Sequence, residues 1–208
     1  MPRPPLDTKI FLFLKAPRLG FVKTRLGKAI GSERALRTYR SLVERQLARI
    51  NDTPKVEIHY TPKEAGDEIR AWLGEHQACH PQVEGNLGEK LTAAIQSAFQ
   101  SGARSVICIG GDCPGLNDAQ INIAVDKLNR GDDVVFGPTE DGGYYLVGLS
   151  APQPKLFEAI AWSTGDTLST SLGIAQKLGL KVSLLETLYD IDEVADLERA
   201  IAEGHLEN

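Results

Sequence analysis

The sequence predicts an α/β fold in which a mostly parallel sheet is covered by helices on both faces. Short, nearly continuous apolar runs such as residues 9–15 and 104–110 are typical of strands buried on both faces. Segments with apolar residues at helical spacing alternate with these runs, which is the pattern of βαβ units. No linker, repeat or low-complexity tract interrupts the 208 residues, so we expect a single domain over residues 1–208.

The elements follow one another along the chain with clear boundaries. The predicted strands are residues 9–15, 55–60, 104–110, 133–138, 143–149 and 181–186. The predicted helices are residues 32–50, 63–74, 88–102, 117–131, 166–180 and 192–204. Ser32 is the expected N-cap of the first helix, because a serine hydroxyl can accept from a free backbone N–H there. The short "TEDG" link predicts that the strands at 133–138 and 143–149 run antiparallel.

Composition narrows the class of protein. Hydrophobic residues make up 42% of the chain and charged residues 25%, which is typical of a globular protein. The net charge of −5 argues against nucleic-acid binding, which needs a basic face. No apolar run approaches the roughly 20 residues that span a membrane, and the first residues lack an apolar signal region. We therefore expect a cytoplasmic protein with reduced cysteines and no membrane span.

A basic loop follows the first predicted strand. Ligands of open parallel sheets bind beyond the carboxyl ends of the strands, so the loops at those ends are the candidate sites. The segment "KAPRLGFVKTRLG" carries Lys15, Arg18, Lys23 and Arg25, with Gly20 among them. Such a loop can bind an anion such as phosphate, with Gly20 allowing close approach of the backbone. The alternative is a solvated basic turn.

Acidic residues follow two other predicted strands. Asp112 comes directly after the buried strand that ends in two glycines, and Asp190 and Asp192 follow the last strand. Mg²⁺ prefers one or two carboxylates together with substrate phosphates and water, so these acids could hold a metal ion. Gly111 would leave room for a ligand beside the backbone. The alternatives are that Asp112 stabilises a turn and that Asp192 caps the last helix.

The turn "TEDGGYY" lies between the two strands predicted to be antiparallel. Glu140 and Asp141 supply carboxylates, and Gly142 and Gly143 could expose backbone N–H groups to a ligand. Asp-Gly is also a strong hairpin signal, so the segment has an equally simple interpretation as a plain turn.

The segment "AWSTGD" precedes a predicted helix. Ser163, Thr164 or Asp166 could cap that helix, and the same helix N-terminus could bind phosphate. Trp162 has the character of a core residue. Cys113, next to Asp112, has no histidine partner in the sequence and is interpreted as a packing residue.

Several of these motifs together resemble a known family. The segments "FLKAPRLGFVKTRLG", "EGNLGEKL", "IGGDCPGL", "GPTEDGGYYLVGL", "WST" and "YDIDEVADL" occur in the order typical of the DUF2064 family. This family is also described as radical-SAM/selenodomain-associated transferase 1. It is similar to the phospholactate guanylyltransferases and, more distantly, to molybdenum-cofactor guanylyltransferases and sugar-phosphate nucleotidyltransferases. The resemblance covers nearly the whole chain and implies a three-layer α/β/α, Rossmann-like GT-A fold with a mixed sheet.

The resemblance also implies roles for particular residues. It implies that the 15–25 loop holds nucleotide phosphates, that Asp112 binds the metal ion, and that Asp192 or Asp190 is the second ligand. The segments "TEDGGYY" and "WST" would line the acceptor pocket. Asn86 and Gly88 would lie at the nucleotide, but family members often have Asp in place of Asn86 and Arg in place of Lys90. The choice of base therefore stays open.

The leading hypothesis is a transferase dependent on Mg²⁺ or Mn²⁺. An NTP would bind through Lys15, Lys23 and Arg25, and a phosphorylated small molecule would take the NMP group with release of pyrophosphate. One alternative is a glycosyltransferase that uses a nucleotide sugar, with Glu140 or Asp141 as the base. A further alternative is a non-catalytic nucleotide-binding module. The sequence leaves the oligomeric state open.

Overall fold

A seven-stranded mixed sheet forms the centre of the protein in a computed structural model that describes residues 7–50 and 56–207. The strands are β1 (Thr8–Lys15), β2 (Val56–Thr61), β3 (Cys79–Pro81), β4 (Ser105–Gly110), β5 (Val134–Pro138), β6 (Tyr144–Leu149) and β7 (Val182–Leu184). The helices are α1 (Thr24–Ile30), α2 (Ser32–Arg49), α3 (Gly66–Leu73), α4 (Leu87–Gln100), α5 (Asp118–Asn129), α6 (Thr167–Lys177) and α7 (Val194–Ala202). Two short 3-10 helices lie at Lys63–Ala65 and Pro154–Phe157.

The strands lie side by side in the order β3-β2-β1-β4-β6-β5-β7. All neighbouring pairs are parallel except those made by β6, which runs antiparallel to both β4 and β5. The antiparallel hairpin predicted from the short link is thus confirmed. Because β6 is reversed, its first residue, Tyr144, lies at the sheet edge where β1 and β4 end.

The central strands are apolar because helices cover both of their faces. Within β4, every residue from Ser105 to Ile109 is buried. Helices α2, α3 and α5 contribute to the apolar cluster on one face, which contains Ile10 and Leu12 of β1. Helix α4 packs on the other face, where Phe11 points, and residues of α6 contribute to the same cluster. The predicted three-layer α/β/α architecture is therefore present.

A third apolar cluster joins the two ends of the chain. It contains Leu26 of α1, Leu42 of α2, Leu197 of α7 and Ile191, which precedes α7. In the part of the chain that the structure describes, no helix is long and apolar enough to cross a membrane.

The prediction that Ser32 is an N-cap is wrong. Ser32 is the first residue of α2, the cap is Gly31, and no side chain caps this helix. Gly31 ends α1 and starts α2, and its φ of 87° lies in the left-handed region that favours glycine. The side-chain caps that form capping boxes at α4 and α5 are Asn86 and Asn117.

Short elements account for most of the differences from the predicted set. The basic loop was predicted to extend to residue 25, but its end is already helical, because α1 begins at Thr24. A helix of seven residues is too short to show an amphipathic pattern. Strand β3 was not predicted either, because its three residues are too few to show a strand pattern. Lys55, the predicted start of the second strand, lies outside the described residues.

Candidate functional site

A cavity of about 700 Å³ lies at the end of the sheet that contains the carboxyl ends of β1 and β4. Its walls come from the β1–α1 loop, the end of β4, the β5–β6 turn, the segments before α6 and α7, and the start of α4. The predicted site residues that line it are Lys15, Lys23, Arg25, Gly111, Asp112, Asp141, Gly143, Trp162, Ser163, Thr164, Asp190 and Asp192. The strand-end rule thus brings together residues from five separate parts of the chain.

Helix α2 fixes the ends of the two strands that form the floor of the cavity. The Tyr39 hydroxyl donates to the Lys15 carbonyl at 2.8 Å and accepts from the Lys15 N–H at 3.1 Å. The Gln46 amide donates to the Gly110 carbonyl at 2.7 Å. Arg49 donates to the Pro114 carbonyl, also at 2.7 Å, just beyond Asp112. These bonds tie helix α2 to the backbone at the floor of the cavity.

The charged centre of the site is Lys23, which lies between two carboxylates. Its Nζ is 2.7 Å from Asp112 Oδ1 and 3.6 Å from Asp192 Oδ1. Arg25 Nη1 also approaches Asp192, at 3.5 Å from Oδ2. The Lys23 side chain is only 4% exposed, whereas those of Asp112 and Asp192 are 50% and 46% exposed. The two carboxylates are therefore far more exposed than the lysine side chain that pairs with them.

The acids before α7 reach Asp112 by an indirect route. Strand β7 lies at the far side of the sheet, separated from β4 by β6 and β5. The segment after β7 crosses back over the strand ends, where the Leu188 N–H donates to the Pro138 carbonyl at 3.0 Å. The Ile191 N–H then donates to the Asp112 carbonyl at 3.1 Å. This crossing segment places Asp190 and Asp192 beside Asp112.

Asp190 differs from its neighbours in electrostatic environment. Burial, followed by repulsion from Asp112 and Asp141, raises the pKa of Asp190 to about 7. The Asp190 carboxyl group is therefore harder to ionise than an ordinary aspartate. Asp112 and Asp192, which are half-exposed and lie next to cations, are the better pair for holding a divalent ion.

The β5–β6 turn contributes one of its two acids to the cavity. Asp141 lines it, but its Oδ1 accepts from Thr139 Oγ1 at 2.5 Å and from the Gly143 N–H at 3.0 Å. Glu140 is absent from the lining and binds Arg199 of α7 through contacts of 3.0 and 3.1 Å. The turn is therefore a structured hairpin, and Glu140 connects it to α7.

Other predicted site residues have structural roles outside the cavity lining. Asn86 caps α4, accepting from the Glu89 N–H at 3.1 Å. A Cβ at Gly88 would lie 2.5 Å from the Phe157 carbonyl oxygen, so this glycine allows close packing. Gly142 packs against Gly165 in the same way, and Gly20 lies in open space with a left-handed φ of 77°.

Gly111 lines the cavity, as expected of a residue that leaves room for a ligand, and its lack of a Cβ also affects packing in the core. A Cβ at this position would lie 2.8 Å from Leu14 Cδ2, inside the core, whereas Gly110 has free space around it. Cys113 is 1% exposed, and burial raises the pKa of its thiol to about 12. Its environment agrees with a packing role.

The segment before α6 forms part of the cavity wall without capping the helix by a side chain. The Thr164 hydroxyl donates to the Ala161 carbonyl at 2.8 Å, and Ser163 has a left-handed φ of 62°. Asp166 is the N-cap residue, but its side chain makes no cap bond. Trp162 lines the cavity and lies 6.2 Å from Tyr144, ring centre to ring centre.

Several lining residues were not named as site residues from the sequence, among them Phe21, Gln82, Leu87 and Lys90. Lys90 and Leu87 are three residues apart on α4, which places them on one face of the helix. A lysine on an amphipathic helix gives no signal of its own in a sequence. Among the described residues, neither Lys90 nor Lys15 makes an ion pair, so both are available to an anionic ligand.

The donor set fits a divalent ion that is shared with a ligand. Within residues 7–50 and 56–207, no three His, Cys, Asp or Glu side chains are already arranged around a common metal position. Asp112 and Asp192 nevertheless both approach the same ammonium group, so a cation already lies between them. Two carboxylates completed by phosphate oxygens and water are the usual surroundings of Mg²⁺.

The fold and the position of the cavity define an α/β protein of the type found in nucleotide-diphospho-sugar transferases and nucleotidyltransferases. Residues 45–164 match the family model DUF2064, described as an uncharacterized protein conserved in bacteria. The match spans more than half of the chain, and the chain belongs to this family. No curated protein sequence matches it.

Solved structures support the same assignment of fold. A protein from Desulfovibrio desulfuricans G20, provisionally assigned as a nucleotide-diphospho-sugar transferase, is 30% identical with a TM-score of 0.89, over 98% of this chain and 89% of that one. The 4-diphosphocytidyl-2C-methyl-D-erythritol synthase of Anaerococcus prevotii is 12% identical with a TM-score of 0.59, over 96% and 97% of the two chains. Glucosyl-3-phosphoglycerate synthase from Mycobacterium tuberculosis, in complex with Mn²⁺ and UDP, is 12% identical with a TM-score of 0.55, over 95% and 76%.

Proposed function

We propose that this protein is a nucleotidyltransferase that moves NMP from an NTP to a phosphorylated small molecule, with release of pyrophosphate. The observation that carries the proposal is the arrangement of Lys23 between Asp112 and Asp192 at the base of a cavity that also contains Lys15 and Lys90. The carboxylates suit a divalent ion and the unpaired lysines suit phosphates. A nucleoside triphosphate meets both conditions, because its phosphates can bind the lysines and also a divalent ion held by the carboxylates.

The chain's own residues would position and neutralise the substrates. Lys15 at the end of β1 and Lys90 on α4 would bind phosphate oxygens, and Arg25, which is 68% exposed, could reach a further phosphate. Asp112 and Asp192 would hold Mg²⁺ or Mn²⁺, which supplies further neutralisation of phosphate charge when bound. The cavity would thus align an acceptor with the nucleotide and lower the cost of bringing two anions together.

The surroundings of the turn acids favour nucleotidyl transfer over sugar transfer. A hydroxyl acceptor usually needs a general base, and the sequence offered Glu140 or Asp141. Glu140 is paired with Arg199, and one Asp141 oxygen is held by Thr139 and Gly143. An acceptor that attacks through a phosphate oxygen is already a nucleophile and needs no base. Of the two acids that the sequence offered as a base, Glu140 lies outside the cavity lining and Asp141 has one oxygen engaged, which suits a phosphorylated acceptor.

Glycosyl transfer from a nucleotide sugar is the second candidate. It is supported by the provisional assignment of the D. desulfuricans protein, which is 30% identical to this chain. The structure of the M. tuberculosis synthase with Mn²⁺ and UDP shows that this fold can hold a metal ion and a nucleoside diphosphate. In that reaction the same lysines would bind the leaving nucleoside diphosphate, and the same acids would hold the metal ion.

Turnover distinguishes these candidates. A thermal-shift panel of NTPs and nucleotide sugars, with and without Mg²⁺, first identifies ligands, because a ligand of the folded state raises its stability. Each hit is then incubated with sugar phosphates and other phosphorylated acceptors, and pyrophosphate and NDP are measured separately. Release of pyrophosphate from an NTP supports the proposal, whereas NDP release from nucleotide sugars alone would replace it with glycosyl transfer.

The matched variants for this assay are Asp112→Asn and Asp126→Asn. Both remove one carboxylate charge, but Asp126 lies on α5, outside the cavity lining, where it pairs with Arg130 at 3.9 Å. We expect turnover to fall at least about 100-fold in Asp112→Asn and to stay unchanged in Asp126→Asn. Ligand binding without turnover of any substrate would instead indicate a nucleotide-binding module.

A further inference from the structure

Lys23 places its positive charge where a metal ion bound by the two acids would also lie. Its Nζ is 2.7 Å from Asp112 Oδ1 and 3.6 Å from Asp192 Oδ1. Burying an ammonium group at 4% exposure is unfavourable unless opposite charges compensate for it, and these two carboxylates supply them. A divalent ion bound to the same carboxylates would meet this ammonium at close range and be repelled by it.

The ammonium is nevertheless poorly satisfied as a hydrogen-bond donor. Its short contact with Asp112 is an ion pair outside hydrogen-bonding geometry, and no other described residue accepts a hydrogen bond from it. A lysine ammonium has three donors, so an incoming phosphate would offer it acceptors that the free protein does not. The group therefore has a reason to leave the carboxylates when an anion enters the cavity.

The backbone of Lys23 is held at the start of α1, whereas its long side chain reaches the two carboxylates of the site. Its φ of 47° lies in the left-handed region, an uncommon conformation for lysine and one that occurs preferentially at functional sites. The Gly27 N–H donates to the Lys23 carbonyl at 2.8 Å in the first turn of α1. The root of the side chain thus cannot move far, and any change in charge position comes from the flexible lysine stem.

We infer that Lys23 is an internal counter-ion that occupies the place of the metal ion until the nucleotide arrives. In the free protein it neutralises Asp112 and Asp192, and metal alone binds weakly. When the phosphates of a nucleotide enter, the ammonium turns to them and the carboxylates become available to the metal ion. Metal and nucleotide then bind together rather than in sequence. The identity of the anion as a nucleotide rests on the proposed function.

The inference predicts opposite effects of one substitution on two ligands. Without the ammonium, the carboxylates should bind a metal ion more tightly, and the cavity should bind phosphates less tightly. General structural damage would weaken both. Opposite changes are therefore a signature that a merely structural lysine would not produce.

The test is a titration with Mn²⁺ alone, followed by the EPR signal of the free ion. We expect Lys23→Met to bind Mn²⁺ about tenfold more tightly than the wild type, or more. Lys28→Met is the matched control, because Lys28 is an exposed residue of the same helix and lies outside the cavity lining. The gain should disappear when Asp112→Asn is added to Lys23→Met.

A second variant and a second ligand complete the experiment. Lys23→Gly removes the same charge and also suits the left-handed backbone, so it should fold even if Lys23→Met does not. Calorimetry with inorganic triphosphate, without metal, should show about tenfold weaker binding in either variant. Unchanged Mn²⁺ affinity, or unchanged triphosphate affinity, in the folded Lys23 variants would overturn the inference. Neither titration involves turnover, so their failure is distinct from failure of the transfer assay.

Discussion

Gly142 is the position where a single methyl group should do the most damage to the cavity wall. Its φ of 87° lies in the left-handed region, and a Cβ built there would lie 2.0 Å from the Gly165 carbonyl oxygen. Its N–H donates to the Thr139 carbonyl at 3.1 Å, and its own carbonyl accepts from the Leu168 N–H at 2.9 Å. These contacts join the β5–β6 turn to the start of α6.

The cost of Gly142→Ala has three parts. Alanine in the left-handed region costs about 1 kcal/mol. The overlap is with backbone atoms, which cannot rotate away, and comparable overpacking costs about 1–3 kcal/mol. Separating the two loops to relieve it would weaken the bond between Leu168 and Gly142, worth about 1 kcal/mol. We expect the free energy of unfolding to fall by about 3–5 kcal/mol.

Urea denaturation measures this change, and Gly173→Ala is the control. Gly173 lies within α6, and a Cβ there would meet nothing within 4 Å. Alanine is the better helix former, so the control should be stabilised by up to about 1 kcal/mol. If Gly142→Ala destabilises the protein by less than about 1 kcal/mol, the two loops are not held together as tightly as the structure indicates.

Three further predictions test other parts of the molecule. Burial, with a smaller contribution from His80, lowers the pKa of His59 to about 4. The unfolded chain therefore binds a proton that the folded protein excludes, so the free energy of unfolding falls as the pH drops from about 6.5 to about 4. At pH 5 the loss is about 2 kcal/mol. Urea curves at pH 7 and pH 5 should show this loss shrinking in His59→Phe. Lys15→Ala and Lys90→Ala should each weaken the binding of inorganic triphosphate about 5- to 150-fold, with an unchanged circular dichroism spectrum. If both variants bind triphosphate as tightly as the wild type, neither lysine binds phosphate. Glu140→Gln should leave the maximum turnover rate within about twofold, since Glu140 is not a base under the proposed mechanism; a loss of at least about 100-fold would point to sugar transfer.

The parts of the fold that could be predicted are those in which burial alone sets the pattern of apolar residues. Strand β4 is apolar along its length because both faces are covered, and the alternation of such strands with amphipathic helices specified the layers. The rule that parallel strands present ligands at their carboxyl ends then predicted that Lys23 and Asp112 lie together. Their ion pair at 2.7 Å is consistent with that prediction.

The parts that could not be predicted depend on contacts between distant segments. Asp192 was expected beside Asp112, but the crossing segment that brings it there from a strand at the far side of the sheet was not predicted. Lys90 was noted only as a departure from the family pattern, and the packing of α4 beside the cavity is what places it in the site. Gly111 lines the cavity, but the close approach of Leu14 to it in the core could not be predicted from the sequence.

One apolar cluster explains why the opposite charges of the site meet. Leu26 of α1 and Ile191 before α7 are both fully buried in it, together with Leu197 of α7. Leu26 follows Lys23 by three residues, and Ile191 immediately precedes Asp192, so packing of the two apolar side chains brings the ammonium to the carboxylate. An ion pair with a buried ammonium is weak evidence for stability on its own, because desolvation offsets much of the attraction. The apolar cluster therefore supplies the energy that holds the cations and acids together, and the charges remain available for a ligand.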